Sequence, residues 1–149
     1  MIILKSKNQK GFRGYIFSRE INGSFIPQRV QNLVIKDFAS RNHLFFKLSS
    51  TEYIMQDCYA MMNALLDDLK KIQGIIFYSI EMLPESKSER INFIKKVLQK
   101  KCRIFFALEE IEIKKKKDIF FVEDLIHLKR ISMTNKFISN NKFLFKNND

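Results

Sequence analysis

Short apolar runs alternate along the chain with longer segments in which apolar residues recur every three or four positions. The runs at residues 14–18, 44–48, 75–79 and 103–108 are short and bulky, which is typical of buried strands. Residues 75–79 are almost continuously apolar, as expected of a central strand that helices cover on both faces. Residues 111–113 are a candidate edge strand.

The segments at residues 27–42, 58–72, 86–101 and 117–130 predict helices. Pro27 suits the first position of a helix, because the N–H that proline lacks would have no partner there. A serine precedes the third helix and can cap it. In the first helix, residues at helical spacing define the face predicted to point inward: Val30, Leu33, Val34 and Phe38.

This alternation predicts an α/β fold, with a mainly parallel sheet of four or five strands between two layers of helices. With 149 residues, the chain is long enough for one domain, predicted over residues 1–130 with its core at about residues 12–109. Residues 131–149 form a basic C-terminal tail without a clear period. We expect this tail to be loosely ordered.

Cysteine content and the length of apolar runs indicate the compartment in which the protein is expected. Cys58 and Cys102 are too few for a disulfide framework, and no cluster of Cys and His accompanies them. The N-terminal apolar run of four residues is too short for a secretory signal, and no run approaches the roughly 20 residues of a transmembrane helix. The sequence therefore predicts a cytoplasmic protein with no transmembrane segment.

The chain carries a formal net charge of +11 and has a pI near 9.7. Such an excess favours an anionic partner, whether a nucleic acid, a membrane surface or a phosphorylated small molecule. The same composition is typical of many proteins encoded by AT-rich genomes, since Lys, Asn, Ile and Phe are abundant and Gly, Pro and Trp are scarce. Charge alone therefore does not identify the partner.

Polar side chains follow the first three predicted strands. In an open parallel sheet, ligands bind beyond the carboxyl ends of the strands, so these side chains are predicted to share one edge. The first turns of the first helix add amide side chains where free N–H groups favour an anion. The predicted ligand-binding residues are Arg19, Gln28, Gln31, Asn32, Ser49, Thr51 and Ser79.

If the site is catalytic, a carboxylate would act as general base and a hydroxyl or thiol as acid or nucleophile. The candidates are Glu52 and Glu81 for the base, and Ser18, Tyr53 and Cys58 for the acid or nucleophile. Each also has a structural interpretation, since the serines can close strand ends and the sequence SSTE can be a capping box. His43 and His127 are isolated, and no phosphate-binding glycine motif occurs, so no metal or cofactor is predicted.

The order GYIFS, PQRVQ, IIFYSIEML and RIFFAL resembles the catalytic domain of resolvase-type serine recombinases over about residues 14–108. Those domains begin with a Gly-Tyr-x-Arg-Val-Ser strand and end their third strand in Leu-Asp-Arg-Leu. Here Phe17 takes the place of the arginine, Arg19 that of the nucleophile with Ser18 one place early, and Met82 that of the second arginine. Because arginine charge stabilises the transferring phosphoryl group, the resemblance implies the fold more than the activity.

A second resemblance covers about residues 12–109. The stretches RGYIFSREINGSFIPQRVQNLVIKDFA and LSSTEYIMQDCYAMM resemble those of the sporadic carbohydrate cluster proteins, small proteins from surface-polysaccharide gene clusters. Glu20, Ser50 and the pair Gln56-Asp57 depart from that family's pattern. The resemblance implies a role in making or modifying a surface polysaccharide.

The sequence is consistent with three functions. The leading prediction is a protein of surface carbohydrate biosynthesis that binds or modifies a phosphorylated or nucleotide-linked sugar at the carboxyl edge of the sheet. The alternatives are a nucleic-acid-binding protein on a degenerate recombinase scaffold, with nucleic acid the less favoured partner, and a non-catalytic partner of a glycan-assembly enzyme that docks through the basic tail. The sequence leaves open whether the protein is an enzyme and whether it forms a homo-oligomer.

Overall fold

The computed structural model describes residues 9–142. The elements in chain order are β1 (Phe12–Phe17), α1 (Gln28–Arg41), β2 (Phe46–Glu52), α2 (Ala60–Asp67), β3 (Gly74–Phe77), a 3₁₀ turn (Ile80–Met82), α3 (Lys87–Gln99), β4 (Arg103–Phe106), β5 (Ile111–Ile113) and α4 (Asp118–Lys142). None of the helices among these residues is long and apolar enough to cross a membrane.

The five strands form one sheet in the order β2-β1-β3-β4-β5. The first four strands are parallel, and β5 pairs antiparallel with β4 at one edge. The predicted α/β class and the mainly parallel sheet are confirmed. Because β1 has β2 on one side and β3 on the other, successive connections leave it in opposite directions and open a crevice at its carboxyl end.

Aromatic side chains join the sheet to helices on both faces. On one face, Phe38 of α1 lies with its ring centroid 5.5 Å from that of Phe105. On the other face, Tyr15 lies 5.0 Å from Phe77, and Phe77 lies 6.0 Å from Phe93 of α3. The sheet is therefore the middle of three layers, and its alternating side chains divide the core between them.

The buried face of α1 differs from the predicted one. Its buried residues are Gln31, Ile35, Phe38 and Ala39. Val30 is 43% exposed and Leu33 is 58% exposed, although both were predicted to point inward. The helical spacing was predicted correctly. The buried face is rotated relative to the predicted face, because Gln31 is buried where apolar residues were expected. Hydrogen bonds to backbone groups compensate its burial, as described below.

Strand β2 begins later and ends later than predicted. Residues 49–52 pair with β1 in parallel register, from Gly14 opposite Ser49 to Phe17 opposite Glu52. The sequence SSTE is therefore the end of a strand and no capping box. Pairing with β1 determines that residues 49–52 form a strand, and a local sequence pattern does not reveal such pairing.

Helix α4 continues to Lys142, well beyond the predicted end at residue 130. Residues 131–142 of the expected loose tail are thus helical, and residues 143–149 lie outside the described part of the chain. The first half of α4 carries the buried residues Ile119, Val122 and Ile126. Residues 131–139 are exposed, and most of them are weak helix formers, so their helical state follows from continuity with the anchored half.

A buried ion pair attaches α4 to α3. Arg90 donates from Nε to one oxygen of Glu123 at 2.9 Å and from Nη2 to the other at 2.7 Å. Its Nη1 donates to the carbonyl oxygens of Pro84 and Glu85. The Arg90 and Glu123 side chains are only 4% and 12% exposed. Hydrogen bonding to Arg90 holds the pKa of Glu123 below its ordinary value.

We predict that Arg90→Met lowers the free energy of unfolding by roughly 3–5 kcal/mol at pH 7, because it leaves a buried carboxylate without its partner. Since the pKa of Glu123 is lowered in the folded protein, this contribution is present above about pH 4.3 and is lost as the pH falls through the folded pKa. Urea denaturation at several pH values measures it. Arg29→Met, at an exposed position of α1, is the control and should change stability by less than about 0.5 kcal/mol.

Candidate ligand cleft at the carboxyl edge of the sheet

A cleft of about 560 Å³ opens beyond the carboxyl ends of β1, β2 and β3. Its lining comes from three connections: residues 17–22 and 25 after β1, residues 54, 56, 57 and 59 after β2, and residues 81, 83 and 85 after β3. Three of the predicted site residues line it, namely Ser18, Arg19 and Glu81. The others lie beneath it or elsewhere.

Arg19 connects the end of β1 to the loop that follows β2. Its Nη1 donates to the carbonyl oxygens of Tyr53, Met55 and Cys58 at 2.9, 2.8 and 2.9 Å. The guanidinium carbon lies 4.0 Å from the centroid of the Phe17 ring. A single arginine thus fixes the loop that forms one wall of the cleft, and stacking on the aromatic ring holds the guanidinium in place.

Glu52 lies beneath the cleft and is 1% exposed. Its carboxylate accepts hydrogen bonds from the hydroxyl of Tyr15 at 2.8 Å and from the backbone N–H groups of Tyr53, Met61 and Met62 at 3.0, 3.0 and 3.1 Å. Burial by itself would raise the pKa of Glu52, but these hydrogen bonds outweigh burial and hold the pKa below its ordinary value. Glu52 is therefore a charged anchor at the start of α2, with its oxygen atoms already occupied.

Gln31 fastens α1 to the end of β1. Its Oε1 accepts from the N–H of Phe17 at 2.9 Å, and its Nε2 donates to the carbonyl oxygens of Phe17 and Ile26 at 3.0 and 2.8 Å. The side chain is fully buried and does not line the cleft. It supplies hydrogen-bond partners for the buried N–H and C=O groups of Phe17, the last residue of β1.

The other predicted residues of α1 and β2 also lie away from the cleft. Ser49 donates to Oδ1 of Asn32 at 2.6 Å, which joins β2 to α1. Gln28 is exposed and Thr51 is half-buried, and neither lines the cleft. The side chains of Gln28, Gln31 and Asn32 in the first turns of α1 therefore do not contribute to the cleft lining.

A polar network that the sequence did not predict lies after β3. Ser79 donates to Glu109 at 2.7 Å and accepts from the N–H of Glu81 at 3.2 Å. Lys129 of α4 lies 3.1 Å from the Glu81 carboxylate and 3.0 Å from that of Glu109. Burial would lower the pKa of Lys129, but its hydrogen bonds and charge interactions with both glutamates outweigh burial and raise that pKa. Lys129 is 48 residues from Glu81, so no local motif reveals this contact.

The candidate nucleophiles Ser18 and Cys58 contact different oxygen atoms of Glu52. Ser18 donates to the carbonyl oxygen of Glu52 at 2.7 Å, and a peptide oxygen is too weak a base to activate a hydroxyl. The thiol of Cys58 lies 3.8 Å from Oε1 of Glu52, whose lone pairs serve the backbone donors. Tyr53 is 54% exposed and does not line the cleft. Among these candidate acids and nucleophiles, Ser18 alone lines the cleft.

The cleft is acidic. Four carboxylates line it, those of Glu20, Asp57, Glu81 and Glu85, against the one guanidinium of Arg19. This differs from the predicted rim, which was expected to attract anions. Among residues 9–142, no three His, Cys, Asp or Glu side chains lie close enough together to hold a metal ion.

No protein-family model matches the chain, and no curated protein matches it either. The resemblance to the sporadic carbohydrate cluster proteins therefore gains no support from these comparisons.

Several solved structures are similar to the chain, and two of them illustrate the likeness. A resolvase family site-specific recombinase from Streptococcus pneumoniae has a TM-score of 0.57 at 11% identity, with 91% of this chain and 99% of that chain covered. The N-terminal catalytic domain of TP901-1 integrase has a TM-score of 0.58 at 16% identity, with 83% and 98% covered. The predicted resolvase-like fold is confirmed. At these identities the likeness is one of fold.

We predict that Glu52→Gln lowers the free energy of unfolding by about 3 kcal/mol, because an amide would place its NH₂ group against backbone N–H donors or leave them unpaired. The gap between wild type and variant should close as the pH falls through the folded pKa of Glu52. Urea denaturation measures both effects. Glu20→Gln, at an exposed position of the same edge, is the control and should change stability by less than about 0.5 kcal/mol. Equal or greater stability of Glu52→Gln would contradict the anchoring role, since neutralising a functional carboxylate commonly stabilises a protein.

Proposed function

We propose that the chain is a nucleic-acid-binding protein that uses a resolvase-like domain without strand cleavage. The separation of charge carries this proposal. The whole chain has a net charge of +11, whereas the cleft at the carboxyl edge is lined by four carboxylates and one arginine. The excess of positive charge therefore lies outside the cleft, on surfaces where a large polyanion makes contact.

The likeness to a site-specific recombinase and to an integrase catalytic domain adds a second line of support. One neighbour is named as a site-specific recombinase and the other as the catalytic domain of an integrase. The fold likeness alone would leave many functions open, so the proposal needs the charge as well.

The chemistry of the edge argues against cleavage. Ser18 is hydrogen-bonded to a peptide oxygen, and Arg19 is committed to three backbone carbonyls. Met82, at the position where the recombinase pattern has an arginine, is fully buried. Without cations around a scissile phosphate, the charge that develops during phosphoryl transfer is not stabilised.

The test is binding of a 30-base-pair DNA duplex, measured by fluorescence anisotropy at 50 and 200 mM salt. We predict salt-sensitive binding, because each phosphate contact contributes about −0.9 to the slope of log K against log salt. Four contacts would then weaken binding about a hundredfold over this range. Ser18→Ala should bind as the wild type does, and neither protein should nick a supercoiled plasmid.

Absent or salt-insensitive binding would refute nucleic-acid binding. A covalent adduct between protein and DNA that Ser18→Ala abolishes would instead show that cleavage is retained.

A second candidate function is binding of a neutral sugar in the cleft. The observation that favours it is the pairing of carboxylates, which accept hydrogen bonds from hydroxyl groups, with aromatic side chains such as Tyr59 and the 63% exposed Phe25. A phosphorylated or nucleotide-linked sugar fits less well, because the same carboxylates repel its charge.

For this candidate we predict saturation-transfer NMR signals from neutral oligosaccharides and weaker signals from nucleotide sugars. Phe25→Ala should remove the signals and leave the fold intact, since its side chain is mostly exposed. The same panel with Phe121→Ala, an exposed aromatic of α4 outside the cleft, is the matched control. Equal signals from all three proteins would exclude the cleft as a sugar site.

A further inference from the structure

A second groove of about 550 Å³ lies at the opposite edge of the sheet, at the amino ends of β3 and β4. Five of its nine lining residues are basic and none is acidic. The basic residues are Lys10, Lys70, Lys100, Lys101 and Arg103. We propose that this basic groove binds the phosphate backbone of a nucleic-acid duplex, which rests on the proposed function and names the surface responsible.

The α/β topology brings these residues together from four parts of the chain. Lys10 precedes β1, Lys70 follows α2, Lys100 and Lys101 follow α3, and Arg103 begins β4. In a parallel sheet with crossover helices, the carboxyl ends of the helices and the amino ends of the strands share one edge. Two backbone hydrogen bonds hold that edge together, from Gln73 to Gly11 and from Arg103 to Gln73.

Most of the positive charge in the groove is uncompensated. Within residues 9–142, the four lysines are exposed and form no ion pair. Only Arg103 has a partner, Glu112 at 3.1 Å. The carboxyl ends of α2 and α3 account for part of the preference for lysine, but each contributes only about half a negative charge. A net positive surface remains for a polyanion.

Lys101 adds an independent observation. Its φ of 58° lies in the left-handed region, and it follows the last turn of α3, where glycine is the usual residue. A lysine is less stable than glycine in this conformation. His43 adopts the same conformation after α1, so this fold accepts other residues there, and what Lys101 adds to the groove is its ammonium group.

The side chains that line the groove also indicate which parts of a nucleic acid it would contact. Aliphatic, thiol and amide side chains complete the groove, and no aromatic ring is among them. Base stacking on aromatic side chains is a main source of affinity for single strands. The groove instead offers point charges to phosphates, so its binding is independent of sequence and favours a duplex backbone.

The test compares two triple variants that remove the same charge. The groove variant combines Lys70→Ala, Lys100→Ala and Lys101→Gly. The control combines Lys36→Ala, Lys87→Ala and Lys95→Ala, which are exposed and lie outside the groove. Binding of a 30-base-pair DNA duplex is measured by anisotropy across a salt series. The groove variant should bind at least tenfold more weakly, with a slope of log K against log salt smaller by about 2.7, whereas the control should change affinity less than threefold.

Lys101→Gly alone separates binding from stability. It should bind the duplex more weakly while its melting temperature stays equal to or rises above that of the wild type, since glycine relieves the left-handed backbone. Unchanged binding by this variant would remove Lys101 from the surface.

The outcomes distinguish the two proposals. Salt-sensitive binding by the wild type with equal losses in both triple variants would overturn the groove and leave the proposed function standing. No binding by the wild type would overturn both.

Discussion

The structure depends most on keeping a negative charge buried at the carboxyl end of the edge strand β2. Glu52 ends this strand beside β1, where water cannot reach its carboxylate. Such a charge is tolerated only if several donors point at it. The Tyr15 hydroxyl and the N–H groups of Met61 and Met62 supply them, which places the start of α2 directly over the end of β2. Burial and the charge of Glu52 raise the pKa of Tyr15, so the phenol remains a donor.

The same edge is completed by side chains that hydrogen-bond to the protein itself. Gln31 closes the end of β1, Arg19 holds the loop after β2, and Ser79 with Glu109 closes the end of β3. No buried side-chain nitrogen or oxygen among the described residues lacks a hydrogen-bond partner. Polar residues at the mouth of a parallel sheet thus serve the fold here. Several of the side chains predicted to bind a ligand at this edge are therefore committed to hydrogen bonds within the protein.

Charge is distributed unequally between the two edges of the sheet. The carboxyl edge is acidic, and the amino edge carries the basic groove, which Lys100 and Lys101 help to line. The parallel strands make this division possible, because the loops that follow them meet at one edge and the loops that follow the crossover helices meet at the other. The charged residues within those loops give each edge its sign. The two edges of the sheet therefore differ in charge, although the chain as a whole is basic. A polyanion and a neutral ligand would meet different surfaces of the same domain.

The sequence by itself determined the class of fold. Alternating apolar runs and helical periods are local signals, and they were sufficient for the mainly parallel sheet and for most of its elements. Tertiary structure decided which residues the elements bury. Gln31 was predicted to bind a ligand because it lies at a helix start, and Glu52 was predicted to act as a base because it follows a strand. Both are buried instead, against the Phe17 backbone and the Tyr15 hydroxyl respectively. Lys129 and the basic groove were missed because their contacts join segments far apart in the chain, and such proximity arises only when the sheet assembles.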